Sequence, residues 1–534
     1  MERVSHNSSY LNAMSTTGTS TRVKDVSPTS GMCPLCIREC ASICEVGLSA
    51  LRGREALYPK VDEFGQSTAA SIKDYFLDWS HITILSDLLG AEGIEEDPDL
   101  ALFTKVDVAS EIGGIRLKLP VITGAFGSTA VAKNNWRGLA IGAALSGVVL
   151  TVGENVCGMD PESKFVDGKV ASTKDLEQRI RTYRDFWDGK NGDIVVQTNV
   201  EDQRMGVDVY AISKLEVNVI ERKWGQGAKA IGGEVRLNSI EEAMELKRRG
   251  YLVVPDPDSE GVRDAFKAGV FKTFERHSRV GMPRLREFVE DVEWLRQQGA
   301  KRVFLKTGAY RPSAVAFAMK AASEAKIDAV TFDGAGGGTG MSPVPMMNEM
   351  SSPTIYLEAQ VLKCVEILRR KHRHVPDISM AGGFINETQI LKSIAMSNLG
   401  GGPAVKAITM ARAPLTAVMK SSYFVELAER GRLPKSFAER YGSEPERFFV
   451  GSLLFKERGS VGLPWEAVGL YTYLHDRIGV GLRQLMAGAR KWKLSLLDRR
   501  DIASLTERAA KVTGIPLLED VESDLFETIL GADS

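Results

Sequence analysis

The sequence predicts a (β/α)8 barrel, in which eight parallel strands alternate with helices around a packed interior. Eight short apolar runs alternate with longer segments of helical period, and this alternation is typical of β-α units around a parallel sheet. Most runs end in glycine or in a charged or amide residue, as expected where the carboxyl ends of strands form an active-site face. The runs occupy residues 119–123, 147–151, 193–199, 217–222, 302–308, 328–334, 377–383 and 406–412.

The segments around these runs define the predicted domain organisation. A ninth apolar run, residues 251–257, lies in the long segment after the fourth run, and we interpret it as an insertion. Towards the C-terminus, apolar side chains recur at three- and four-residue spacing, which predicts helices that pack against the barrel. The predicted parts are a disordered leader at 1–31, a cysteine-cluster segment at 32–60, the barrel with its N-terminal approach at 61–420 and a helical extension at 421–534.

Composition argues against several functional classes. The 534 residues carry a formal net charge of -1, whereas a nucleic-acid-binding protein normally has a basic excess or patch. No apolar run approaches the ~18 residues that a membrane span requires, and the polar leader lacks the apolar stretch of a secretion signal. We therefore expect neither nucleic acid nor a membrane as a partner, and we predict a cytoplasmic location.

Glycine-rich loops follow the sixth and seventh runs. Five glycines, including Gly337 and Gly338, stand between residues 333 and 343, and glycines allow the backbone to approach a ligand closely. The seventh run ends in Gly382 and Gly383, and the eighth ends in Arg412. Because barrels commonly bind phosphate in the loops after strands seven and eight, these residues predict a site for a phosphate monoester such as that of FMN.

Two lysines are placed for a flavin or a substrate. Lys306 ends the fifth run, where a fixed positive charge in the barrel mouth would stabilise an anionic reduced flavin. Lys229 follows the fourth run and would hold a substrate carboxylate. Taken alone, each lysine is more typical of a solvated surface charge.

Several stretches together resemble the FMN-binding synthase domain of glutamate synthase. The Phe-Gly-Ser turn of that family is matched within Gly124–Ser128, and its Gln-Gly-Ala-Lys sequence is intact at Gln226–Lys229. Its Gly-Gly-Thr-Gly-Ala-Ser-Pro loop is matched by Gly337–Pro343, with Met341 in place of alanine. The order and spacing of these motifs hold over roughly residues 100–420.

The resemblance implies a cofactor, a reaction and a set of site residues. The family reduces 2-iminoglutarate, formed from 2-oxoglutarate and ammonia, by hydride transfer from reduced FMN. By resemblance, FMN contacts Gly124, Ala125, Gln197 and Lys306, with its phosphate on Gly382, Gly383 and Arg412. The substrate contacts Glu154, Lys223, Gln226 and Lys229.

The chain also departs from the family. It lacks the N-terminal glutaminase domain and the initial nucleophilic cysteine, so ammonia or another amine is expected from solvent or a partner. An acidic residue of the family's glycine loop is Gly336 here. One alternative is therefore an N-methylglutamate synthase-like subunit, or another amine ligase or isomerase, on the same FMN barrel. An alternative of another class is a non-catalytic assembly subunit.

Four of the six cysteines form a cluster with the spacing C-x2-C-x3-C-x3-C, at Cys33, Cys36, Cys40 and Cys44. Four thiolates can ligate an iron–sulfur cluster or one zinc ion. We favour an iron–sulfur cluster of the 4Fe-4S type over zinc and over free thiols. The glutamate synthase family places its cluster cysteines just after the barrel, where this chain has none between residues 411 and 427.

The sequence also bears on the electron donor, on the two isolated cysteines and on the oligomeric state. No separate pyridine-nucleotide domain is recognisable, so we expect an electron-donating partner protein, either a ferredoxin or a reductase subunit. The isolated Cys157 and Cys364 are interpreted as buried packing residues. We also expect the protein to be an oligomer.

Overall fold

A closed barrel of eight parallel strands forms the centre of the molecule, as the sequence predicted. The computed structural model describes residues 36–39, 44–52, 76–227, 234–271, 273–337, 352–451 and 462–531. The barrel strands are β1 Val121–Phe126, β2 Val149–Val152, β3 Ile194–Thr198, β4 Val219–Lys223, β5 Arg302–Gly308, β6 Ala329–Asp333, β7 Asp377–Ala381 and β8 Val405–Met410. Neighbouring strands pair in parallel, and β8 closes the barrel on β1.

An apolar floor fills the N-terminal end of the barrel. Side chains alternate between the two faces of a strand, and one inward position of each of several strands carries a buried apolar residue, such as Val195 and Phe304. The antiparallel hairpin formed by Ser110–Ile112 and Ile115–Leu117 packs its apolar residues into the same cluster. The barrel is therefore closed at this end and can bind a ligand at its carboxyl end.

Helices surround the barrel and continue beyond it. In chain order the described α-helices are α1 Glu45–Arg52, α2 Ala130–Ser146, α3 Val156–Met159, α4 Lys174–Arg184, α5 Val200–Arg204, α6 Val207–Leu215, α7 Ile240–Arg248, α8 Glu260–Lys267, α9 Leu285–Gln297, α10 Pro312–Glu324, α11 Thr354–Arg370, α12 Glu387–Met396, α13 Arg412–Glu429, α14 Lys435–Tyr441, α15 Pro445–Phe448, α16 Trp465–Tyr471, α17 Val480–Gly488, α18 Glu507–Thr513 and α19 Leu525–Gly531. A π-helix, Thr472–Gly479, joins α16 to α17. None of the described helices is long and apolar enough to cross a membrane.

The ninth apolar run belongs to an insertion outside the barrel, as predicted. Its residues Leu252–Val254 form one edge of a three-stranded antiparallel sheet with Phe274–His277 at the centre and Glu234–Leu237 at the other edge. Arg249 Nη1 donates hydrogen bonds to backbone oxygens of Gly158 and Asp160. The insertion is thereby held over the loop that follows β2.

The C-terminal helices and the N-terminal approach pack on the barrel as one body. Strand Ile82–Ile84 pairs antiparallel with Ile502–Ser504, so the N-terminal approach and the C-terminal extension are joined directly. The predicted boundary between residues 420 and 421 falls inside α13, because the helix that follows β8 continues to Glu429. The predicted leader lies outside the described residues, as does most of the predicted cysteine segment.

Candidate functional site at the carboxyl end of the barrel

A polar layer lies directly above the apolar floor. The residue two positions after each floor residue points to the same side of its strand, and at this level six strands carry buried polar side chains. They are Thr151 on β2, Gln197 on β3, Glu221 on β4, Lys306 on β5, Thr331 on β6 and Thr409 on β8. Hydrophobic burial thus gives way to hydrogen-bonding groups where a ligand would meet the barrel.

Gln197 and Glu221 form a buried pair on adjacent strands. They are direct neighbours in the register of β3 and β4, and Gln197 Nε2 donates a hydrogen bond to Glu221 Oε1 at 2.6 Å. The other end of the amide, Gln197 Oε1, is buried and has no hydrogen-bond partner among the described residues. Burial raises the pKa of Glu221 despite the nearby charges of Lys306 and Lys223.

Lys306 is placed in this layer as predicted. Its Nζ lies 3.4 Å from Asp333 Oδ2 at the end of β6. Burial would lower the pKa of Lys306, but the nearby acidic groups, the carboxylate of Asp333 first among them, outweigh it and hold that pKa above its usual value. The side chain therefore remains a cation at neutral pH.

The glycine loop after β6 folds against the same aspartate. A β-carbon at Gly337 would lie 1.7 Å from Asp333 Oδ1, so any other residue there would displace the Asp333 carboxylate. The Gly337 N–H donates to the carbonyl of Gly334 at 2.8 Å, which closes a tight turn. Gly338, the other predicted residue of this loop, lies outside the described residues.

Three of the four predicted substrate residues come together. Lys223 Nζ donates to Glu154 Oε1 at 2.6 Å and to Gln226 Oε1 at 2.7 Å. Burial would raise the pKa of Glu154, but the adjacent Lys223 holds it below its usual value, so this carboxyl is ionised. The Lys223 and Glu154 side chains keep 12% and 19% of their surface exposed, enough to meet a ligand. Lys229 lies outside the described residues.

The loops predicted to bind phosphate also converge. Gly382 has a φ of 111°, and a β-carbon there would lie 2.7 Å from the Gly334 nitrogen. Gly383 has a φ of 94°, so both residues adopt backbone conformations that favour glycine. Arg412, the first residue of α13, donates from Nη2 to the Gly336 carbonyl at 2.7 Å. The loops after β6, β7 and β8 therefore meet at one point.

Gly124 and Ala125 lie on β1 beside this point. A β-carbon at Gly124 would lie 3.1 Å from the Ala411 β-carbon and 3.2 Å from Thr409 Cγ2. The close approach of β1 and β8 thus favours glycine at position 124. Ala125, its neighbour on β1, is partly exposed.

The cysteine cluster is described in part. Cys33 and Cys40 lie outside the described residues, while Cys36 and Cys44 lie within them. Thr416 Oγ1, on α13, donates to Cys36 Sγ at 3.4 Å. Within the described ranges no group of three or more potential ligands could hold a metal ion, so the metal site remains a prediction. Cys157 is buried as predicted, and burial raises its pKa far above the usual range.

The chain resembles known proteins in its sequence and in its fold. Residues 276–418 match the family model described as a conserved region in glutamate synthase. Over these residues the predicted resemblance to glutamate synthase is confirmed. None of the curated proteins matches the chain.

Solved structures similar to the chain include two of flavocytochrome b2 and one of (S)-mandelate dehydrogenase. A flavocytochrome b2 mutant with pyruvate bound is 12% identical, covers 85% of this chain and 82% of its own, and has a TM-score of 0.46. The recombinant flavin-binding domain of baker's yeast flavocytochrome b2 is 13% identical, covers 84% of this chain and 81% of its own, and has a TM-score of 0.46. A soluble mutant of the Pseudomonas putida mandelate dehydrogenase is 12% identical, with 93% and 97% coverage and a TM-score of 0.43.

The residues that match glutamate synthase include only part of the candidate site. It includes strands β5 to β8, and with them Lys306, Gly382, Gly383 and Arg412. Glu154, Gln197 and the other residues that precede position 276 lie outside it. The match therefore covers the predicted phosphate site but not the predicted substrate residues.

Sequence reasoning missed two acids of this site. Glu221 and Asp333 were not among the candidate residues, although each pairs with one that was. Both could have been found from strand alternation, because Glu221 lies two positions before Lys223 and Asp333 lies two positions after inward-facing Thr331.

Proposed function

We propose that this protein is an FMN-dependent oxidoreductase similar to glutamate synthase. The observation that carries the proposal is the unpartnered, buried carbonyl of Gln197 in the same layer as the Lys306 cation. A buried acceptor without a donor costs free energy unless a ligand satisfies it. The family match over residues 276–418 supports the same conclusion.

The side chains present fit a flavin ring. The isoalloxazine ring carries an N–H donor of the kind that Gln197 Oε1 lacks. Lys306 supplies a positive charge that favours the negative charge gained by a flavin on reduction. Bound FMN would supply hydride transfer, while the chain's own residues bind and orient it.

The loops after the last three strands fit its phosphate. Glycines at positions 382 and 383 let the backbone approach a phosphate closely, and Arg412 is a side chain suited to phosphate recognition. Barrels frequently bind phosphate in this place. These residues would therefore hold the phosphate end of FMN, and Gln197 and Lys306 its ring end.

The proposed substrate is 2-iminoglutarate or a related imine or 2-oxo acid, with ammonia or another amine as nitrogen source. Lys223 and Gln226 offer donors for a substrate carboxylate, and Lys229 is proposed to join them. Glu154 already pairs with Lys223 at 2.6 Å, so an anionic substrate would share the lysine with this carboxylate. Glu154 would thus set how strongly the lysine attracts an anion.

Electrons are proposed to arrive through an iron–sulfur cluster on the four N-terminal cysteines. Zinc, the alternative metal at these cysteines, would be structural and would carry no electrons. Cys36 contacts Thr416, which lies four residues after Arg412 on α13. At 1.5 Å per residue, this is about 6 Å along the helix. A cluster at Cys36 would therefore lie near the proposed phosphate site.

The proposed electron donor is a ferredoxin or a reductase subunit in the cytoplasm. We also propose that the protein is an oligomer.

An anaerobic absorption spectrum of the purified protein tests the central proposal. We expect a flavin spectrum that bleaches on reduction and returns when 2-oxoglutarate and ammonia are added. A protein without flavin would contradict the proposal. Formation of N-methylglutamate from glutamate and methylamine, with release of ammonia and no net oxidation of the flavin, would instead favour the N-methylglutamate synthase-like alternative. Bound flavin without either turnover would favour the assembly subunit.

Lys306→Met tests the proposed role of the cation. We expect reoxidation of the reduced flavin by substrate to slow by about 100-fold, the usual cost of losing one stabilising group at a developing charge. Lys320→Met is the matched control, because Lys320 is a lysine on α10 that is 60% exposed. Equal rates in the two variants would remove the role assigned to Lys306.

Cys36→Ser tests the cluster. We expect the variant to lose iron and acid-labile sulfide together, measured per mole of protein. Cys364→Ser is the control, since Cys364 lies apart on α11. Zinc in place of iron and sulfide would identify a structural metal site, and metal content unchanged by Cys36→Ser would contradict ligation by this residue.

A further inference from the structure

We propose that Glu221 is a positioning residue, which acts as a neutral acid and orients the Gln197 amide so that its carbonyl faces the flavin. The inference rests on the proposed FMN site. Glu221 itself was not expected from the sequence to take part in that site. Its predicted effect is on cofactor affinity, through Gln197.

The geometry of the pair fixes which end of the amide is available. A primary amide has a donor end and an acceptor end, and in Gln197 the donor end is engaged by Glu221 at 2.6 Å. The acceptor end must then point away from Glu221. Because both residues are buried, at 1% and 5% exposure, water does not compete for either end.

The charges around Glu221 determine its protonation. Two lysines and three carboxyls share the polar layer and the level above it. Lys306 lies beside Asp333 and Lys223 beside Glu154, so each lysine has a carboxylate partner of its own. Glu221 has no ion pair within 4.0 Å among the described residues.

An isolated buried carboxyl is more stable as the neutral acid. The raised pKa of Glu221, which burial causes, agrees with this assignment. With Glu221 neutral, the two lysines balance the two remaining carboxylates. The flavin ring would then meet a layer without net charge, in which the Lys306 cation is adjacent to the Gln197 acceptor.

Without Glu221 the amide would be free to turn. Either end could then face the ring, and the end that matches the flavin N–H would be present for part of the time. An acceptor at position 221 is therefore required, whereas a charge there is not. Glutamine can replace glutamate in this role, and methionine cannot.

Three variants of the FMN-loaded protein test the proposal, with FMN release on dilution followed by flavin fluorescence. We expect Glu221→Met to weaken FMN binding by about tenfold, equivalent to 1.4 kcal/mol. Glu221→Asp keeps the carboxyl but withdraws it from Gln197, so we expect a similar loss. Glu221→Gln preserves the acceptor and should bind FMN within threefold of the wild type.

The reduction potential of the flavin supplies a second readout that packing alone would not change. If Glu221 is neutral, Glu221→Gln should leave the potential unchanged, whereas removal of an ionised carboxylate would raise it. A raised potential, or FMN affinity lost equally in the Gln and Met variants, would overturn the proposal. If Glu221→Met does not fold, the Asp and Gln variants still separate the outcomes. Wild-type protein without FMN would contradict the proposed function itself.

Discussion

Single residues in this barrel mouth are constrained by what lies within hydrogen-bonding distance of them. Lys306 and Lys223 each have a carboxylate partner, and glycine is required where two loops approach each other. These constraints concern local geometry and can be tested one side chain at a time. Two predictions belong to this scale.

Gly382→Ala should destabilise the protein and weaken FMN binding. At a φ of 111° an alanine is strained, and its β-carbon would also lie 2.7 Å from the Gly334 nitrogen. Gly400→Ala is the control, because Gly400 has a φ of 94° but nothing within 4 Å of its position. Backbone strain costs about 1–3 kcal/mol in each. Urea unfolding should show a larger loss at position 382, and equal losses would refute the steric argument.

Asp202 should make stability depend on pH. It accepts hydrogen bonds from the Asn155 backbone nitrogen on both carboxylate oxygens, yet burial raises its pKa to about 7. The unfolded chain releases this proton near pH 4, so between about pH 4 and 7 the folded state binds more protons. Stability contributed by this group is therefore full below pH 4 and declines as pH rises towards 7.

Asp202→Asn should remove that dependence. Relative to the wild type, the variant should gain free energy of unfolding between pH 5 and pH 7.5, by about 2.5 kcal/mol at most. Urea unfolding at several pH values measures the difference. A difference that stays constant with pH would show that Asp202 is ionised in the folded protein across this range.

At the scale of elements, the apolar runs predicted all eight barrel strands, and their ends shifted for identifiable reasons. The first run began at residue 119, but β1 begins at Val121, after Pro120, which has no N–H to donate. The eighth run extended to residue 412, where α13 already begins. Periodicity thus predicted which segments are strands, while local chemistry determined where they end.

Arg222 on β4 should stabilise the packing of two helices on the barrel. Its guanidinium pairs with Asp208 of α6 at 2.6 Å and with Asp291 of α9 at 2.7 Å. Arg222→Met would leave two carboxylates without their cation, and breaking a buried pair costs about 3–5 kcal/mol. Urea unfolding measures the loss.

Arg286→Met is the matched control for this pair. Arg286 also lies on α9 and pairs with Glu290, but its side chain is 91% exposed. Water screens a surface pair of this kind, so Arg286→Met should lose little stability. Comparable losses in the two variants would show that burial of Arg222 is not what gives its pairs their effect.

At the scale of the whole molecule, the barrel and its extensions share one core. The cluster of buried apolar residues from Val46 to Ile515 includes side chains of the barrel and of both extensions, beside the separate apolar floor and a further cluster that includes Phe437 and Phe448. The C-terminal extension is therefore part of the folded body and does not form an independent layer of helices. We expect one cooperative unfolding transition for the described body.

Leu150→Ala on β2 and Leu474→Ala in the π-helix should lower the midpoint of the same thermal transition. Both leucines are fully buried, and such truncations cost about 2–5 kcal/mol. Leu530→Ala is the control, since Leu530 is 87% exposed. Calorimetry that resolves two transitions, each shifted by one variant, would contradict a shared core.

The sequence by itself determined the order of strands and helices, the glycine loops, and most residues that line the barrel mouth. Apolar periodicity and glycine positions are local properties, and a barrel places every strand's carboxyl end on one face. Tertiary structure alone decided the pairs. Gln197 meets Glu221 because the register of β3 and β4 aligns them, and Lys306 reaches Asp333, two positions beyond its register partner Thr331. The pKa values of these groups follow from burial and neighbouring charges that no local pattern reveals.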